Sequence, residues 1–327
     1  MNLLARVGVV IIGRNEGERL VNCLNSLSSQ ASQLVYVDSG SSDESVNVAQ
    51  RLGATVVSLD MTIPFTAARA RNEGFAQLKA LYPHVDFVQF VDGDCEVVTT
   101  WLSSAITFMG ENIKVAAVCG RRRERFPDQT IYNKLCDIEW NTPIGEAKAC
   151  GGDVLMRVVA LEHANGYRAD LIAGEEPELC VRFRAAGWKI WRLDAEMTLH
   201  DAAMTRFGQW WKRTMRAGHA FAEGAYLHGA PPERHWIAEA RRAWIWAVLI
   251  PLIALLVGLF NFKLGLLVLL IYPIQVVRLA LSSSLKGKAS WIVSFFTVLG
   301  KFPEMFGQIK FLKRLYSGKQ GRLIEYK

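Results

Sequence analysis

Two aspartates separated by one glycine, Asp92 and Asp94, follow a strongly apolar segment that ends at Val91. That segment predicts a buried strand, so both carboxylates leave the strand together on a tight turn. Hard divalent cations prefer carboxylate and phosphate oxygens as ligands. The pair therefore predicts a site where Mg²⁺ or Mn²⁺ is shared with a diphosphate, and a solvent-exposed Asp-Gly turn is the alternative interpretation.

A third aspartate, Asp38, ends another predicted strand and is followed by small residues, including Gly40. A carboxylate there can accept hydrogen bonds from a base or ribose, and small residues allow a nucleotide to approach the backbone. A capped junction between a strand and a helix explains the same residues less completely. Arg71 and Asn72 are of types that contact a diphosphate, whereas Arg69 fits a solvated helix start equally well.

Glu175 and Glu176 are adjacent and follow Gly174, at the predicted start of a helix. Acidic residues at a helix N-terminus interact favourably with the helix dipole, so a purely structural role is one explanation for this pair. Two adjacent glutamates exceed what the dipole requires, so one of them is a candidate general base toward a sugar hydroxyl. His200 follows a short strand predicted over residues 189–193 and could complete the metal site, although a lone histidine is more often structural.

The elements that must position these residues follow an alternating pattern. Short apolar runs alternate with helical patterns from residue 7 to about residue 120, which predicts a mostly parallel α/β sheet covered on both faces. Ligands of such sheets bind at the carboxyl ends of the strands, so residues 13–16, 38–43 and 92–96 are expected along one rim. The predicted strands are Val7–Ile12, Leu34–Val37, Thr55–Leu59, Phe87–Val91 and Val115–Cys119.

Several classes of protein are disfavoured by what the sequence contains. The glycine-rich patterns of dinucleotide-binding folds and of P-loop ATPases do not occur. The six cysteines form no C-x-x-C pair, which argues against a zinc ribbon or a disulfide framework and favours reduced thiols. The apolar N-terminus is interpreted as a first strand rather than as a signal peptide.

Charge is distributed unevenly along the 327 residues. Residues 241–327 contain 13 Lys and Arg against two acidic residues, whereas the preceding 240 residues have a net charge of −4. A basic surface for nucleic acid on the folded domain is therefore not expected. The basic excess lies beside the most apolar part of the chain, which predicts contact with membrane lipids.

That apolar part predicts a helical hairpin at about residues 243–281. Residues 243–260 are uncharged and would span roughly 27 Å as a helix, against a hydrocarbon core of roughly 30 Å. Two short spans are favoured over a re-entrant pair, with basic residues placing both flanks on the cytosolic side. An amphipathic helix at about 291–316 is expected in the headgroup layer, or else packed on the first domain. The predicted domains are residues 1–235 and 236–327.

In their order and spacing, these motifs resemble glycosyltransferase family 2, whose members have the GT-A fold, an α/β fold of Rossmann type. The resemblance covers roughly residues 5–215. The segments that carry it are Val9-Val10-Ile11-Ile12-Gly13-Arg14-Asn15-Glu16, Val37-Asp38-Ser39-Gly40-Ser41-Ser42-Asp43, Ala70-Arg71-Asn72-Glu73-Gly74, Val91-Asp92-Gly93-Asp94, Cys150-Gly151-Gly152 and Gly174-Glu175-Glu176-Pro177-Glu178-Leu179.

The resemblance implies roles for individual residues. Asp92 and Asp94 would bind the metal and diphosphate. His200 is a further candidate metal ligand from its position in the sequence. Glu176 occupies the position where the family usually has the Asp that deprotonates the acceptor, and Glu175 stays an alternative base. The implied nucleotide-sugar site comprises Gly13, Asn15, Glu16, Asp38, Gly40, Arg71, Asn72, Asp92 and Gly152.

The activity implied is an inverting, metal-dependent transfer of one sugar from a nucleotide-sugar, UDP-linked in first choice, to a lipid-linked acceptor in cell-surface polysaccharide or glycolipid assembly. The segment Gln209–Arg213 departs from the Q-x-x-R-W motif of processive synthases, which argues for single additions. The enzyme is expected at the cytosolic face of the inner membrane. A polyprenyl-phosphate sugar synthase is the close alternative, and a nucleotidyltransferase or a non-catalytic nucleotide-sugar-binding scaffold are alternatives of other classes.

One charged segment stays open between two interpretations. The run Arg121–Arg125 contains four arginines and one glutamate. It could meet a lipid phosphate or anionic headgroups, or it could be a solvated charge run. If Arg122 lies on the surface, its removal is expected to leave turnover unchanged.

Overall fold

The computed structural model describes residues 6–318, which divide into two compact units. The first unit ends at Ala203 and the second begins at Met204. The sequence analysis places a functional boundary after residue 235, and that boundary stays a prediction.

The first unit is a mixed nine-stranded sheet with seven helices in the described residues. The strands are β1 (Val7–Gly13), β2 (Leu34–Asp38), β3 (Thr55–Ser58), β4 (Phe87–Asp92), β5 (Cys95–Val97), β6 (Val115–Glu124), β7 (Gly145–Ala147), β8 (Val154–Arg157) and β9 (Lys189–His200). The helices are α1 (Glu18–Leu27), α2 (Ser45–Arg51), α3 (Ala67–Leu81), α4 (Trp101–Glu111), α5 (Ile131–Glu139), α6 (Val158–His163) and α7 (Glu175–Ala185). The strand order is β3-β2-β1-β4-β8-β6-β9-β5, and β7 pairs with β9.

Strand register brings the predicted functional segments to one rim. Strands β3, β2, β1 and β4 are parallel, whereas β8 runs antiparallel to β4 and β6. Gly13 pairs with Asp38, and Ile12 pairs with Asp92. The carboxyl ends of the three central strands therefore lie side by side, which confirms the predicted rim. The strands are apolar because both sheet faces are covered, and Val9, Val35 and Val37 are fully buried.

Two strands are longer than predicted. Strand β6 continues from Cys119 through the charged run to Glu124, and β9 continues from Leu193 to His200. The two strands pair in parallel with register shifts, so charged residues take part in the ladder. Side chains alternate between faces along a strand, so adjacent arginines need not share an environment. His200 consequently ends a strand and does not lie in a following loop.

The second unit is helical and contains two long apolar helices. Its elements are α8 (Phe207–His228), α9 (Ile237–Trp244), α10 (Ile250–Phe260), α11 (Phe262–Leu269), α12 (Ile271–Ser282), α13 (Lys288–Leu299) and α14 (Lys301–Ser317). A π-helical turn joins α9 to α10, and the resulting helix Ile237–Phe260 is long and apolar enough to cross a membrane, as is Phe262–Ser282. The predicted hairpin is therefore helical, and the choice between two spans and a re-entrant pair stays a prediction.

The amphipathic helix predicted at 291–316 is two helices, because the helix is interrupted at Gly300, between α13 and α14. Helix α14 packs closely on α8. A side chain at Gly218 would overlap the backbone of Glu304, and one at Gly307 would overlap that of Met215. Part of the apolar face of α14 is thus covered by α8, and its placement in the headgroup layer stays a prediction.

Candidate functional site

The loops after β1 and β2 are hydrogen-bonded to each other at the rim. Asn15 has a positive φ of 55°, its amide donates to Ser41 Oγ at 2.9 Å, and its Oδ1 accepts from the amide of Ser42 at 2.7 Å. The amide of Gly17 donates to Asp43 Oδ2 at 3.2 Å. These contacts make one wall of two loops that are far apart in the sequence.

Asp38 lies at the base of this wall and is only 4% exposed. Its Oδ2 accepts from the amides of Gly40 and Ser41 at 3.0 and 2.9 Å, and Tyr36 donates its hydroxyl to Oδ1 at 3.2 Å. Gly40 has a φ of 80°, which favours glycine. Burial, together with the Asp38 charge, raises the pKa of Tyr36, so its hydroxyl stays protonated as a donor. The nucleoside-binding role of Asp38 stays a prediction.

Arg71, on α3, gathers three carboxylates around one buried guanidinium. Its Nη2 lies 3.0 Å from Asp92 Oδ1, and its Nη1 lies 2.9 Å from Glu175 Oε1 and 3.0 Å from Glu176 Oε1. The Arg71 side chain is 3% exposed. The structure thus brings together the rim aspartate Asp92 and both candidate bases, although they come from distant parts of the sequence.

Gly152 allows this arrangement by its lack of a side chain. A Cβ there would overlap Arg71 Nη2 and would lie 3.1 Å from an Asp92 carboxylate oxygen. A Cβ at the neighbouring Gly151 would meet nothing within 4 Å. Gly152 is therefore required sterically, since the backbone before β8 passes directly beside the Arg71–Asp92 ion pair, and its contact with a nucleotide-sugar stays a prediction.

Glu176 is in the environment expected of a group that exchanges protons near neutral pH. Helix α7 begins directly after Gly174, whose φ of 80° turns the chain so that Glu175 and Glu176 occupy the first turn. Burial and the neighbouring Glu175 charge raise the pKa of Glu176 to about 7, against an opposing effect of Arg71. The Glu176 side chain remains 14% exposed, whereas that of Glu175 is 4% exposed.

Asp94 and His200 form a compact group with Cys95. His200 Nε2 lies 3.2 Å from Asp94 Oδ2, and Cys95 Sγ lies 3.6 Å from Asp94 Oδ1. Burial and the Arg122 charge lower the pKa of His200 to about 3, so the imidazole is neutral. Its buried Nδ1 has no hydrogen-bond partner within residues 6–318. A neutral imidazole beside a carboxylate is a donor set that fits a divalent ion.

Sequence reasoning missed Asp153, which is 1% exposed and adjoins this group. Its Oδ1 accepts from the amide of Asp92 at 3.1 Å, and its Oδ2 accepts from Thr198 Oγ1 at 2.8 Å. Asp92, Cys95 and Asp153 place possible ligand atoms within 4.8 Å of one another. The available signal was the position of Asp153, directly after Gly152 and before a buried strand.

Arg122 does not lie on the surface, so the condition under which its removal was expected to leave turnover unchanged is not met. Its Nη2 lies 3.4 Å from Asp92 Oδ2, its Nε lies 3.5 Å from Asp153 Oδ2, and its guanidinium lies 4.8 Å from the ring centroid of Trp140. Its side chain is 17% exposed. The alternation of side chains along β6 turns Arg122 toward the rim carboxylates.

The other arginines of this run each contact an acidic side chain, so the run is more than a solvated charge run, and its contact with a lipid phosphate or headgroups stays a prediction. The ion pairs are Arg121–Asp137, Arg123–Glu196 and Arg125–Glu96. Among these three pairs, only Arg123 and Glu196 both have side chains that are close to half exposed. The run is thus a set of individual ion pairs along one strand.

Three further predicted residues contact the protein's own backbone or side chains. Asn72 Nδ2 donates to the Tyr167 carbonyl at 2.7 Å, and its Oδ1 accepts from the Tyr167 amide at 2.8 Å. Arg69 donates to backbone carbonyls of a neighbouring loop, and Glu16 pairs with Arg19 at 2.8 Å. The ligand-binding roles of Asn72 and Glu16 stay predictions.

The chain is similar to known glycosyltransferases. Residues 8–155, just under half of the chain, match the family described as "Glycosyl transferase family 2". Glycosyltransferase AglE of Haloferax volcanii is 24% identical over 226 residues, which are 65% of this chain and 71% of that protein. A TPR repeat-containing protein of Synechococcus elongatus is 29% identical over 143 residues, which are 43% of this chain but only 33% of that protein.

Among solved structures, the mannosyltransferase PcManGT from Pyrobaculum calidifontis, in complex with GDP-Man and Mn²⁺, superposes with a TM-score of 0.59. The match covers 94% of this chain and 87% of that one at 17% sequence identity. At this identity the similarity establishes the fold, and the predicted GT-A fold is confirmed.

Proposed function

We propose that this protein is an inverting, metal-dependent glycosyltransferase that moves one sugar from a nucleotide-sugar to a lipid-linked acceptor. The match of residues 8–155 to glycosyltransferase family 2 supports this proposal. The proposal rests on one observation above all. Arg71 contacts Asp92 on one side and Glu175 and Glu176 on the other. In this proposal, a group for the leaving diphosphate and a group for the incoming hydroxyl adjoin the same guanidinium, which brings the two functions of a single displacement into one site.

Glu176 is proposed as the general base. A base is most effective when its pKa is close to the working pH, and burial beside Glu175 raises the pKa of Glu176 to about 7. Ionised Glu176 removes the proton from the acceptor hydroxyl as the oxygen bonds to the anomeric carbon, while the bond from that carbon to the diphosphate breaks. Its greater exposure relative to Glu175 favours it as the group that meets the acceptor.

The opposite side of the site is proposed to hold the diphosphate. Asp92, Asp94 and His200 would hold Mg²⁺ or Mn²⁺, which when bound supplies positive charge for the leaving group. The neutral state of His200 supports this donor set. The solved mannosyltransferase of the same fold contains GDP-Man and Mn²⁺, which supports a nucleotide-sugar donor and a divalent ion here. The choice of a UDP-sugar as donor is part of the proposal.

A lipid-linked acceptor is proposed because of the second unit. Two helices there, Ile237–Phe260 and Phe262–Ser282, are long and apolar enough to cross a membrane. An anchored enzyme meets a lipid-borne acceptor at high local concentration. We place the enzyme in the inner membrane with its first unit on the cytosolic side, in the assembly of cell-surface polysaccharide or glycolipid. A bare polyprenyl phosphate is the second candidate acceptor.

The test is to incubate membranes containing the full chain with Mn²⁺ and radiolabelled UDP- or GDP-sugars and to partition the products into organic solvent. Label in the lipid phase supports the transferase. In a parallel reaction with added pyrophosphate, conversion of the nucleotide-sugar to a nucleoside triphosphate and labelled sugar 1-phosphate would instead indicate a nucleotidyltransferase. Binding without any of these products would indicate a scaffold. Mild acid cleaves the bond between sugar and lipid phosphate for both acceptors, and the size of the released product separates them. A labelled monosaccharide indicates polyprenyl phosphate, and a labelled oligosaccharide indicates a lipid-linked oligosaccharide.

The variants Asp94→Asn and Glu176→Gln are expected to slow lipid labelling roughly a hundredfold or more while preserving the fold. Their matched controls are Asp128→Asn and Glu111→Gln, since Asp128 is 82% exposed and Glu111 is exposed at the end of α4. Lipid labelling that persists unchanged in Asp94→Asn and Glu176→Gln would contradict the assigned site.

A further inference from the structure

Asp92 lies between two guanidinium groups. Arg71 Nη2 is 3.0 Å from Asp92 Oδ1, and Arg122 Nη2 is 3.4 Å from Asp92 Oδ2. Each carboxylate oxygen thus faces its own cation. Asp92 is one of the residues that would hold the divalent ion, so an ion approaching Asp92 must do so beside the positive charge of Arg122.

The two arginines differ in how tightly they are held. Arg71 is buried and makes three ion-pair contacts of 2.9–3.0 Å, which suits a fixed structural cation. Arg122 makes longer contacts of 3.4 and 3.5 Å to Asp92 and Asp153 and donates to Cys95 Sγ at 3.6 Å, and its side chain is 17% exposed. Long and partly exposed contacts are weaker than short buried ones, so Arg122 is the cation that can change partner.

Trp140 keeps the Arg122 charge at the rim. The guanidinium lies 4.8 Å from the Trp140 ring centroid, within the range of a cation–π interaction, and the same ring lies edge-on to His200 at 4.8 Å. The charge therefore stays between the Asp92–Asp153 pair and the Asp94–His200 pair. A negatively charged diphosphate bound at this rim would meet both Arg122 and the divalent ion.

From these contacts we propose that Arg122 is a positioning residue that couples metal binding to nucleotide binding. Without a diphosphate, Arg122 neutralises Asp92 and opposes a divalent ion in the same place. With a diphosphate, the phosphate charges attract Arg122 and relieve that opposition, so ion and nucleotide bind as a unit. This inference rests on the proposed function, since it assumes that the rim holds a divalent ion and a nucleoside diphosphate.

The experiment measures Mn²⁺ affinity by electron paramagnetic resonance, with no sugar transfer involved. The full chain in detergent is titrated with Mn²⁺, first alone and then with UDP or GDP. Arg122→Gln is expected to bind Mn²⁺ alone about five- to tenfold more tightly than the unsubstituted protein, because a neighbouring positive charge is lost. The factor by which the nucleotide tightens Mn²⁺ binding is expected to fall by a similar amount.

Three variants separate this role from a structural one. Arg122→Met also removes the charge but keeps an apolar stem against Trp140. The Mn²⁺ affinity of either charge-removing variant decides the result, provided that this variant folds normally. Arg122→Lys keeps a charge and is expected to restore weak binding of Mn²⁺ alone. Arg123→Gln is the matched control, since Arg123 pairs with Glu196 in the adjoining position of β6, and it is expected to behave like the unsubstituted protein.

Two results would overturn the inference in distinguishable ways. If the charge-removing variants fold normally and bind Mn²⁺ as the unsubstituted protein does, with and without nucleotide, then Arg122 has no coupling role. If neither UDP nor GDP changes Mn²⁺ binding to the unsubstituted protein, the proposed metal-dependent function fails, and the inference fails with it.

Discussion

Asp92 and Glu176 contact the same guanidinium, since Arg71 Nη2 lies 3.0 Å from Asp92 Oδ1 and Arg71 Nη1 lies 3.0 Å from Glu176 Oε1. Asp92 ends strand β4 and Glu176 is in the first turn of α7, so the chain brings them together only through its fold. A buried cation between carboxylates lets several negative charges share a small volume that would otherwise be unfavourable. Their spacing is therefore set by one side chain.

Replacing Glu176 by Gln should slow turnover roughly a hundredfold or more, because the amide cannot accept the hydroxyl proton. Nucleotide-sugar binding should change little, since Glu176 contacts Arg71 Nη1 whereas Asp92, the proposed diphosphate-side group, contacts Nη2. Steady-state kinetics on a lipid acceptor and a thermal-shift titration with the nucleotide-sugar measure the two effects separately. A variant that loses donor binding and turnover together would assign Glu176 to the donor site instead.

The rate should also depend on pH in a defined direction. Burial beside Glu175 raises the pKa of Glu176 to about 7, and only the ionised form is a base. Hence kcat/KM should rise with pH through about 7 and then level off, with an apparent pKa that belongs to the Glu175–Glu176 pair. Glu175→Gln removes the neighbouring negative charge and should move the midpoint to lower pH. A profile that is flat from pH 6 to 8 would exclude Glu176 as the base.

Gly152 provides a steric test with an adjacent control. A methyl group at residue 152 would overlap Arg71 Nη2 and press on the Asp92 carboxylate, whereas one at Gly151 would meet nothing within 4 Å. Gly152→Ala should therefore destabilise the first unit by about 1–3 kcal/mol and reduce activity, as expected of overpacking at a buried ion pair. Gly151→Ala should affect neither. Thermal unfolding and lipid labelling of both variants measure the difference, and equal behaviour would show that the rim tolerates the added carbon.

The sequence was sufficient to predict the central part of this fold. Strands β1, β2, β3 and β4 lie within one residue of their predicted bounds, because continuous apolar runs in a parallel sheet are distinctive. The common rim followed from the same pattern, since parallel strands end together. The apolar runs along the chain were thus enough to predict that the ends of β1, β2 and β4 lie side by side.

What the sequence could not supply was the direction of individual charged side chains. The run Arg121–Arg125 has the composition of a solvated surface, yet Arg122 faces Asp92 while Arg123 faces Glu196. That outcome depends on β6 continuing beside β9, a pairing between strands some 70 residues apart. Asp153 was missed for the same reason, because its partners Asp92 and Thr198 adjoin it only across the sheet.

The packing of α14 on α8 in the second unit leads to a final prediction. A side chain at Gly218 would overlap the backbone of Glu304, so Gly218 is what allows the two helices to approach closely. Gly218→Ala should force them apart and destabilise the second unit by about 1–3 kcal/mol or more, since backbone atoms cannot rotate away. Gly208→Ala, in the first turn of the same helix with nothing within 4 Å, should be neutral or slightly stabilising because alanine has the higher helix propensity. Thermal unfolding of both variants in the same detergent measures the contrast, and a Gly218→Ala variant as stable as Gly208→Ala would show that the helices do not pack this closely.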